Sequence, residues 1–250
     1  MNFSGKVVLV TGGTSGIGKD TAIAFAKHGA NVVVAGRREE EGKAVVAEIE
    51  KTGQKGLFIK TDVSREEDVK HLVEATVKAF GRLDIAFNNA GVELGETLSD
   101  FSVESYRKVF DINVLGVFLS QKYEIPAMIK SGGGSIINTT SVLGHVGGAN
   151  AGIYTASKHA VEGITRSTAL EYGKQNIRTN SVAPGPIATD MIDRFTGGQK
   201  ESLDYLASLN PLGRIGKPSE ITAAVLFLAS DEASFVNGTS IVVDGGMLAQ

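Results

Sequence analysis

The stretch "VTGGTSGIG", residues 10–18, follows an apolar run and opens a segment with helical spacing. Gly12, Gly16 and Gly18 are spaced G-x-x-x-G-x-G rather than the G-x-G-x-x-G of the common dinucleotide fingerprint. Glycine permits positive φ and close approach of a pyrophosphate, and the helix N-terminus attracts that anion. Four glycines in seven residues exceed what a tight strand–helix turn needs, so we predict a nucleotide-binding turn.

Apolar, β-branched runs alternate along the chain with segments of helical spacing. The runs cover residues 6–12, 31–36, 56–62, 83–91, 134–141, 177–185 and 239–246, and the clearest helical segments cover 16–29, 38–53 and 64–81. Runs that are apolar almost without interruption are typical of strands buried on both faces of a parallel sheet. The pattern predicts an α/β fold, a single doubly wound (Rossmann) domain over 1–250 with a seven-stranded parallel sheet and helices on both faces.

Two local patterns refine this expectation. Ser64 followed by Glu67 predicts a capping box at the start of the third helix, and Gly81 predicts its C-terminal cap. Residues 186–215 break the alternation and carry Gly197 and Gly198 in mid-run. A segment of this length predicts a substrate lid or binding loop.

The overall composition excludes several classes of function. The chain has 250 residues, a net charge of −3 and no cysteine, which excludes disulfides and thiolate nucleophiles. Mixed charges predict neither a nucleic-acid partner nor an anionic membrane partner. The apolar runs are too short for a signal peptide or a spanning helix, so we expect a soluble cytoplasmic protein. His28, His71 and His159 lack paired ligand spacing, so no catalytic metal is predicted.

The end of the second apolar run indicates which dinucleotide binds. Gly36 occupies the position where an acidic residue would bind the ribose of NAD, and Arg37 and Arg38 follow it. A guanidinium can bind a 2′-phosphate with two hydrogen bonds, so NADP is favoured over NAD. Alternatively, Arg37 stacks on adenine, or both arginines are solvated.

Tyr154 and Lys158 are four residues apart in "YTASKHAVEG" and therefore share one face of a helix. The ammonium can favour the phenolate and make the phenol usable as an acid or base. In the simpler interpretation, Tyr154 fills space and Lys158 extends to water.

These features together resemble the short-chain dehydrogenase/reductase family over essentially the whole chain. The matching residues occur in the family's order: Thr11, Gly12, Gly16, Ile17 and Gly18, then Asp62, Asn88-Asn89-Ala90-Gly91, Asn113, Ser141, Tyr154, Lys158, Pro184-Gly185 and Thr189. Each match is weak alone. Ser141 ahead of Tyr154 and Lys158, behind a nucleotide turn, is specific.

The resemblance implies a catalytic set of Asn113, Ser141, Tyr154 and Lys158. Tyr154 would exchange a proton with the substrate oxygen, and Lys158 would lower the pKa of the phenol and hold the nicotinamide ribose. Ser141 would be a second donor to that oxygen, or only the residue that ends a strand. Asn113 would kink its helix and anchor a water, or be a buried amide satisfied by its neighbours.

The resemblance also implies the cofactor-binding residues. They are Gly12, Thr14, Ser15, Gly16, Ile17, Gly18, Arg37, Arg38, Asp62, Val63, Asn89, Ala90, Gly91, Tyr154, Lys158, Pro184, Gly185, Ile187 and Thr189. Asp62 would contact adenine, or mark the start of the next helix, or both. His145 either contacts substrate or is exposed. A structural divalent ion near the terminal carboxylate is a further hypothesis.

The implied function is NADP(H)-dependent carbonyl reduction or secondary-alcohol oxidation on a small molecule. The alternatives are a 3-oxoacyl-thioester reductase, a sugar or polyol dehydrogenase, and a nucleotide sensor without catalysis. The family is usually tetrameric, so we expect a homotetramer that uses helices around 103–130 and 152–172 and the C-terminal strand.

Overall fold

A seven-stranded parallel sheet forms the centre of the molecule in the computed structural model, which describes residues 1–249. The order across the sheet is β3-β2-β1-β4-β5-β6-β7. The strands are β1 (Val7–Thr11), β2 (Asn31–Gly36), β3 (Gly56–Lys60), β4 (Ile85–Asn88), β5 (Gly134–Thr139), β6 (Ile177–Pro184) and β7 (Ser240–Val243). Each lies within its predicted run, so the predicted fold is confirmed.

Helices connect the strands and cover both faces of the sheet. They are α1 (Gly16–Lys27), α2 (Glu39–Glu50), α3 (Glu66–Phe80), α4 (Val103–Phe110), α5 (Gly116–Lys130), α6 (Gly152–Tyr172), α7 (Asp190–Thr196), α8 (Lys200–Ser208) and α9 (Pro218–Ala229). No helix within residues 1–249 combines the length and apolar character needed to cross a membrane.

Two separate apolar cores follow from the alternation of side chains along β1. Val8 and Val10 pack on one face with Phe25 of α1 and Val225 of α9. Leu9, between them in sequence, belongs to the core on the other face. All three β1 residues are fully buried, and burial of such a side chain contributes about 1.5–3 kcal/mol. The nearly continuous apolar runs therefore reflect strands that are covered twice.

The start of α3 differs from the predicted capping box. The helix begins at Glu66, and its N-cap residue, Arg65, provides no side-chain cap. Ser64 instead donates from its backbone N–H and its hydroxyl to Asp62 Oδ1, at 3.1 and 2.7 Å. The Ser64–Glu67 prediction is wrong because the Asp62 carboxylate binds Ser64 first. The predicted C-cap is confirmed, since Gly81 has φ +79°.

The strand order reverses between β1 and β4, which opens a crevice at the carboxyl ends of the strands. The predicted lid segment, 186–215, contains α7 and α8 near this end. The two helices are separated by Gly197 and Gly198, with φ of 63° and 69°. These positive angles allow the sharp change of direction between the helices.

Candidate active site

The glycine-rich turn between β1 and α1 packs so closely that side chains are excluded. A Cβ on Gly12 would lie 2.9 Å from Ala90 Cα, and one on Gly18 would lie 2.3 Å from the Gly12 oxygen. Ser15, the N-cap of α1, makes no side-chain cap. The first N–H groups of α1 therefore remain available to an anion. This geometry fits the diphosphate of a dinucleotide.

The end of β4 is tied to this turn by hydrogen bonds. Asn89 Nδ2 donates to the carbonyls of Thr11 and Gly12, both at 3.3 Å. The backbone N–H groups of Asn89 and Ala90 donate to Thr11 Oγ1 at 3.1 and 3.2 Å. These bonds explain why residues 89–91, predicted as strand, leave the sheet. They hold Gly91 where a Cβ would lie 3.4 Å from Asn113 Oδ1 and 3.6 Å from Lys158 Nζ.

Arg38 lies against the glycine turn. Its Nη2 donates to Ser15 Oγ at 2.5 Å and to Thr14 Oγ1 at 3.2 Å. Its Nη1 lies 3.7 Å from Asp190 Oδ2, at the start of α7. Arg37 is exposed. A cation fixed beyond the end of β2 is suited to the 2′-phosphate of NADP.

Asp62 and Val63 lie after β3 at the other side of the crevice. The Asp62 carboxylate accepts both bonds from Ser64, as the helix-start interpretation expects. Val63 is buried, and a Cβ on Gly116 would lie 2.8 Å from its Cγ2. Contact of Asp62 with adenine stays a prediction.

The residues after β6 bring the start of segment 186–215 onto the glycine turn. Pro184 ends β6, and the N–H of Gly185 donates to the Val243 carbonyl at 3.0 Å. Ile187 is buried and pairs with Gly216. Thr189 Cγ2 would lie 3.2 Å from a Cβ on Gly16. The predicted residues Ile187 and Thr189 thus border the same crevice.

Tyr154 and Lys158 are both buried on α6, and Ser141 follows the end of β5. Lys158 Nζ lies 5.4 Å from the centre of the Tyr154 ring. The same nitrogen donates to the Thr139 carbonyl at 2.9 Å. Ser141 Oγ accepts from the Leu143 N–H at 3.2 Å, which fixes the hydroxyl at the strand end. The structure therefore brings the three predicted residues together.

Burial controls the ionisation of this pair. It raises the pKa of Tyr154, the charge of Glu93 raises it further, and the Ser141 hydroxyl acts to lower it. Burial also lowers the pKa of Lys158 to about 8, against the charges of Glu93 and Glu162. The lowering of the Tyr154 pKa by Lys158 stays a prediction, and burial of the phenol acts in the opposite direction. The phenol is therefore protonated at neutral pH.

Asn113 lies in a π-helical turn, Asp111–Leu115, between α4 and α5. Its Oδ1 accepts from the Val92 N–H at 2.8 Å, and its Nδ2 donates to the Val92 carbonyl at 2.9 Å and to Ser157 Oγ at 3.1 Å. Ser157 Oγ donates to the Tyr154 carbonyl at 2.6 Å. Asn113 thus joins the loop after β4 to α6, and its amide is satisfied by neighbours. The helix kink and the anchored water that the family resemblance implies for Asn113 stay predictions.

The His145 side chain contacts Ser240 and Glu162 and makes no contact with Tyr154 or Lys158. Its Nε2 lies 3.1 Å from Ser240 Oγ and 3.4 Å from Glu162 Oε1. These contacts attach the loop after Ser141 to β7. A contact between His145 and substrate gains no support from this arrangement.

Glu93 is a site residue that the motifs did not identify. It follows "NNAGV" in the loop after β4 and is half-buried. Burial raises the pKa of its carboxyl, and the charge of Lys158 opposes that effect. An acidic residue just beyond the β4 motif, at the carboxyl edge of the sheet, is the signal that could have revealed it.

The structure offers no candidate metal centre in the part of the chain it describes. Among residues 1–249, no group of three or more His, Cys, Asp and Glu side chains could hold a metal ion. The terminal carboxylate of Gln250, named in the divalent-ion hypothesis, lies outside the described residues.

Comparisons with known proteins agree with this geometry. A family model described as enoyl-(acyl carrier protein) reductase matches residues 12–248. A 2,5-dichloro-2,5-cyclohexadiene-1,4-diol dehydrogenase of Sphingobium indicum is 46% identical over 250 residues, which cover 99% of each chain. A cyclohexanol dehydrogenase of Acinetobacter sp. is 45% identical, over 97% of this chain and 95% of the other.

The solved structures include one that matches almost the whole fold. The crystal structure of levodione reductase superposes with a TM-score of 0.96 at 38% identity and covers 99% of both chains. Identity of 38–46% over nearly the full length agrees with the glycine turn and with the Ser141–Tyr154–Lys158 arrangement in pointing to one family. The chain belongs to the short-chain dehydrogenase/reductase family, whose members are oxidoreductases that use a nicotinamide cofactor.

Proposed function

We propose that this protein transfers hydride between NADP(H) and a ketone or secondary alcohol, with Tyr154 as general acid and base. The observation that carries the proposal is the convergence of buried Tyr154, Lys158 and Ser141 beside the glycine turn. NADP(H), when bound, supplies or takes up the hydride. Gly12, Gly18 and the start of α1 would hold its diphosphate.

The protein's own groups account for the proton and for the charge on the substrate oxygen. In reduction, the Tyr154 phenol donates a proton to the carbonyl oxygen, and in oxidation it takes that proton back. Ser141 Oγ is a second donor to the same oxygen, where negative charge develops. Lys158, fixed by the Thr139 carbonyl, supplies positive charge close to the phenol. The raised pKa of Tyr154 keeps the phenol in the form that donates.

Arg38 supports NADP as the cofactor. Its guanidinium is fixed on the glycine turn by Thr14 and Ser15, and Gly36 offers no carboxylate to repel a phosphate. Gly36 also lacks the carboxylate that would accept hydrogen bonds from the ribose hydroxyls of NAD. We therefore expect tighter binding of NADPH than of NADH.

A carbocyclic substrate has the best support. The names of two relatives specify a cyclohexanol and a cyclohexadienediol, and a third relative is a trans-4-hydroxycyclohexanecarboxylate dehydrogenase. The catalytic trio requires only an oxygen that alternates between carbonyl and hydroxyl. We propose a ring ketone and its secondary alcohol as the substrate pair.

A 3-oxoacyl-thioester reductase is the second candidate. The matching family model is described as an enoyl-(acyl carrier protein) reductase, which supports a carrier-bound acyl substrate but names reduction of a different bond. An acidic carrier protein would favour a basic surface around the entrance. The exposed lid residues instead mix both signs: Asp190, Asp193, Arg194, Lys200 and Glu201. This mixture of charges favours a small free substrate over a carrier-bound one. A sugar or polyol is also a small free substrate, so the charges do not separate it from a ring alcohol.

An absorbance assay of nicotinamide oxidation separates these candidates. Cyclohexanone, an open-chain β-keto ester, a keto sugar and an acetoacetyl thioester are each tested with NADPH and with NADH. We expect the highest kcat/KM for cyclohexanone with NADPH. A preference for the thioester would support the second candidate, and no turnover of any carbonyl would support a nucleotide sensor.

The assembly and compartment are proposals as well. We propose one domain with a lid over 186–215, a homotetramer, and a cytoplasmic location that fits the lack of cysteine. Large apolar side chains remain exposed on α5, on α6 and in the C-terminal region: Phe118, Leu170, Phe235 and Val242. Light scattering should give the mass of four chains, and a monomer at micromolar concentration would contradict the tetramer.

A further inference from the structure

Glu93 carries a half-buried carboxyl group without a protein partner. Within residues 1–249 it makes no hydrogen bond and no ion pair. Glu162, a buried acidic residue on α6, instead accepts from Ser181 Oγ at 2.9 Å. The half-buried Glu93 carboxyl group is therefore left free to bind a ligand.

The backbone on either side of Glu93 is fixed beside the catalytic pair. Val92 is held through both its N–H and its carbonyl by the Asn113 amide. A Cβ on Gly91 would lie 3.6 Å from Lys158 Nζ. The charge of the carboxyl acts on both Tyr154 and Lys158. Since Gly91 and Val92 are fixed in this way, Glu93 begins the part of the loop that lies next to these two residues.

The next residues of the loop form a wall between two other segments. The Glu96 N–H donates to the Asn150 carbonyl at 2.8 Å, which joins the wall to the loop before α6. A Cβ on Gly95 would lie 3.0 Å from Phe195 Cε2, on α7 of the lid. Residues 93–96 thus lie between the lid and the loop before α6. This is the substrate side of the site, away from the dinucleotide turn at residues 12–18.

The chemistry of a carboxylate decides what it can bind there. It accepts hydrogen bonds, and a ketone oxygen has no hydrogen to give. Tyr154 and Ser141 already donate hydrogen bonds to the reacting oxygen of the substrate in the proposed function. A second anionic group on the substrate would be repelled. What remains is a hydrogen-bond donor elsewhere on the substrate, and on the ring alcohol or ring ketone proposed above that donor is a second hydroxyl.

We propose that Glu93 is a specificity-determining residue whose carboxylate accepts a hydrogen bond from a second hydroxyl of the substrate. The preferred substrates are then cyclic diols and the hydroxyketones formed from them. The proposal rests on the proposed alcohol–ketone chemistry and adds to it the group that distinguishes a diol from a simple alcohol. A site with a dedicated hydrogen-bond partner discriminates strongly against an analogue that lacks the hydroxyl.

The test compares kcat/KM for oxidation of cyclohexanol and of the positional isomers of cyclohexanediol, with NADP⁺. The variants are Glu93→Gln and Glu93→Leu, with Glu96→Leu as the exposed control on the same loop. Both Glu93 variants remove the negative charge near Tyr154, and only glutamine keeps an acceptor. Glu93→Ala also lacks an acceptor and serves if the leucine variant does not fold.

We expect the wild-type protein to prefer at least one diol by about tenfold or more. The diol-to-cyclohexanol ratio should fall about tenfold in Glu93→Leu, by less in Glu93→Gln, and not in Glu96→Leu. Equal changes for diol and cyclohexanol in both Glu93 variants, or a wild-type ratio near one, would overturn the role of Glu93 alone. Failure of the wild-type protein to oxidise any of these alcohols would overturn the proposed function instead.

Discussion

Lys158 and Tyr154 lie one turn apart on α6, with Lys158 Nζ 5.4 Å from the centre of the phenol ring. The ammonium is held in that position by the Thr139 carbonyl at the end of β5. Ser141 follows two residues later on the same strand end. One strand and one helix therefore fix three polar groups with little freedom to move. This preorganisation is what stabilisation of a charged transition state requires.

The cofactor preference should depend on Arg38. Replacing it in Arg38→Leu removes the cation that Thr14 and Ser15 hold on the glycine turn. We expect the KM for NADPH to rise about tenfold or more, because charge-assisted bonds to a phosphate are lost, while the KM for NADH changes less. Steady-state kinetics with each cofactor measure this.

The control for this prediction is Lys78→Leu, which removes an exposed cation from α3. It should leave both KM values unchanged. Equal losses with NADPH and NADH in Arg38→Leu would mean that the arginine does not bind the 2′-phosphate.

Asn113 should act as the joint between the loop after β4 and α6. In Asn113→Asp the Nδ2 donor disappears, so the Val92 carbonyl and Ser157 Oγ lose their partner. We expect the free energy of unfolding to fall by about 1–3 kcal/mol for the lost bonds. Turnover should fall as well, since Ser157 bonds the Tyr154 carbonyl. Urea unfolding and kcat at saturation check both effects. An unchanged free energy of unfolding together with an unchanged kcat would show that the hydrogen bonds of the Asn113 amide contribute to neither stability nor turnover.

Glu124 should make the stability of the fold depend on pH. Complete burial raises the pKa of its carboxyl to about 7, although the bond from Asn88 opposes this. Between its ordinary pKa and about 7, the folded state binds the proton more tightly than the unfolded state. Its contribution is therefore fully present below pH 4.5 and is lost as pH rises through 7. By linkage the loss is about 3 kcal/mol.

Glu124→Gln keeps the shape and removes the titration. The melting temperature of the wild-type protein should fall between pH 5 and 8 by more than that of the variant. Glu67→Gln, on the exposed face of α3, is the control and should follow the wild-type protein. Parallel curves for wild type and Glu124→Gln would remove Glu124 as the source.

The fold could be predicted from the sequence because strands that are buried on both faces of the sheet appear as nearly continuous apolar runs. Val8, Leu9 and Val10 are all apolar since each packs into one of two cores. Local side-chain hydrogen bonds are harder to predict from the sequence. Ser64 had the right spacing for a capping box, but the nearer Asp62 carboxylate binds it. Competition between two possible acceptors is decided by geometry that spacing does not contain.

The site divides in the same way. The shared helix face of Tyr154 and Lys158 was predictable from their spacing, whereas Ser141 was identified only through the family resemblance. The sequence could not distinguish the role of Arg37 from that of Arg38, since both follow the same strand. In the folded protein Arg38 lies on the glycine turn. Glu93 belongs to no motif. Its proximity to Tyr154 arises from the loop that Asn113 holds, which no local pattern reveals.

The central claim, that Tyr154 exchanges the substrate proton, is tested most directly by Tyr154→Phe. Turnover of cyclohexanone with NADPH and the Kd for NADPH from fluorescence titration are measured on the same preparation. Tyr172→Phe, at the far end of α6, is the matched control. We predict that kcat falls at least about 100-fold while the Kd for NADPH changes little, and that the control stays near wild type. A kcat for Tyr154→Phe within a few-fold of wild type would contradict the account.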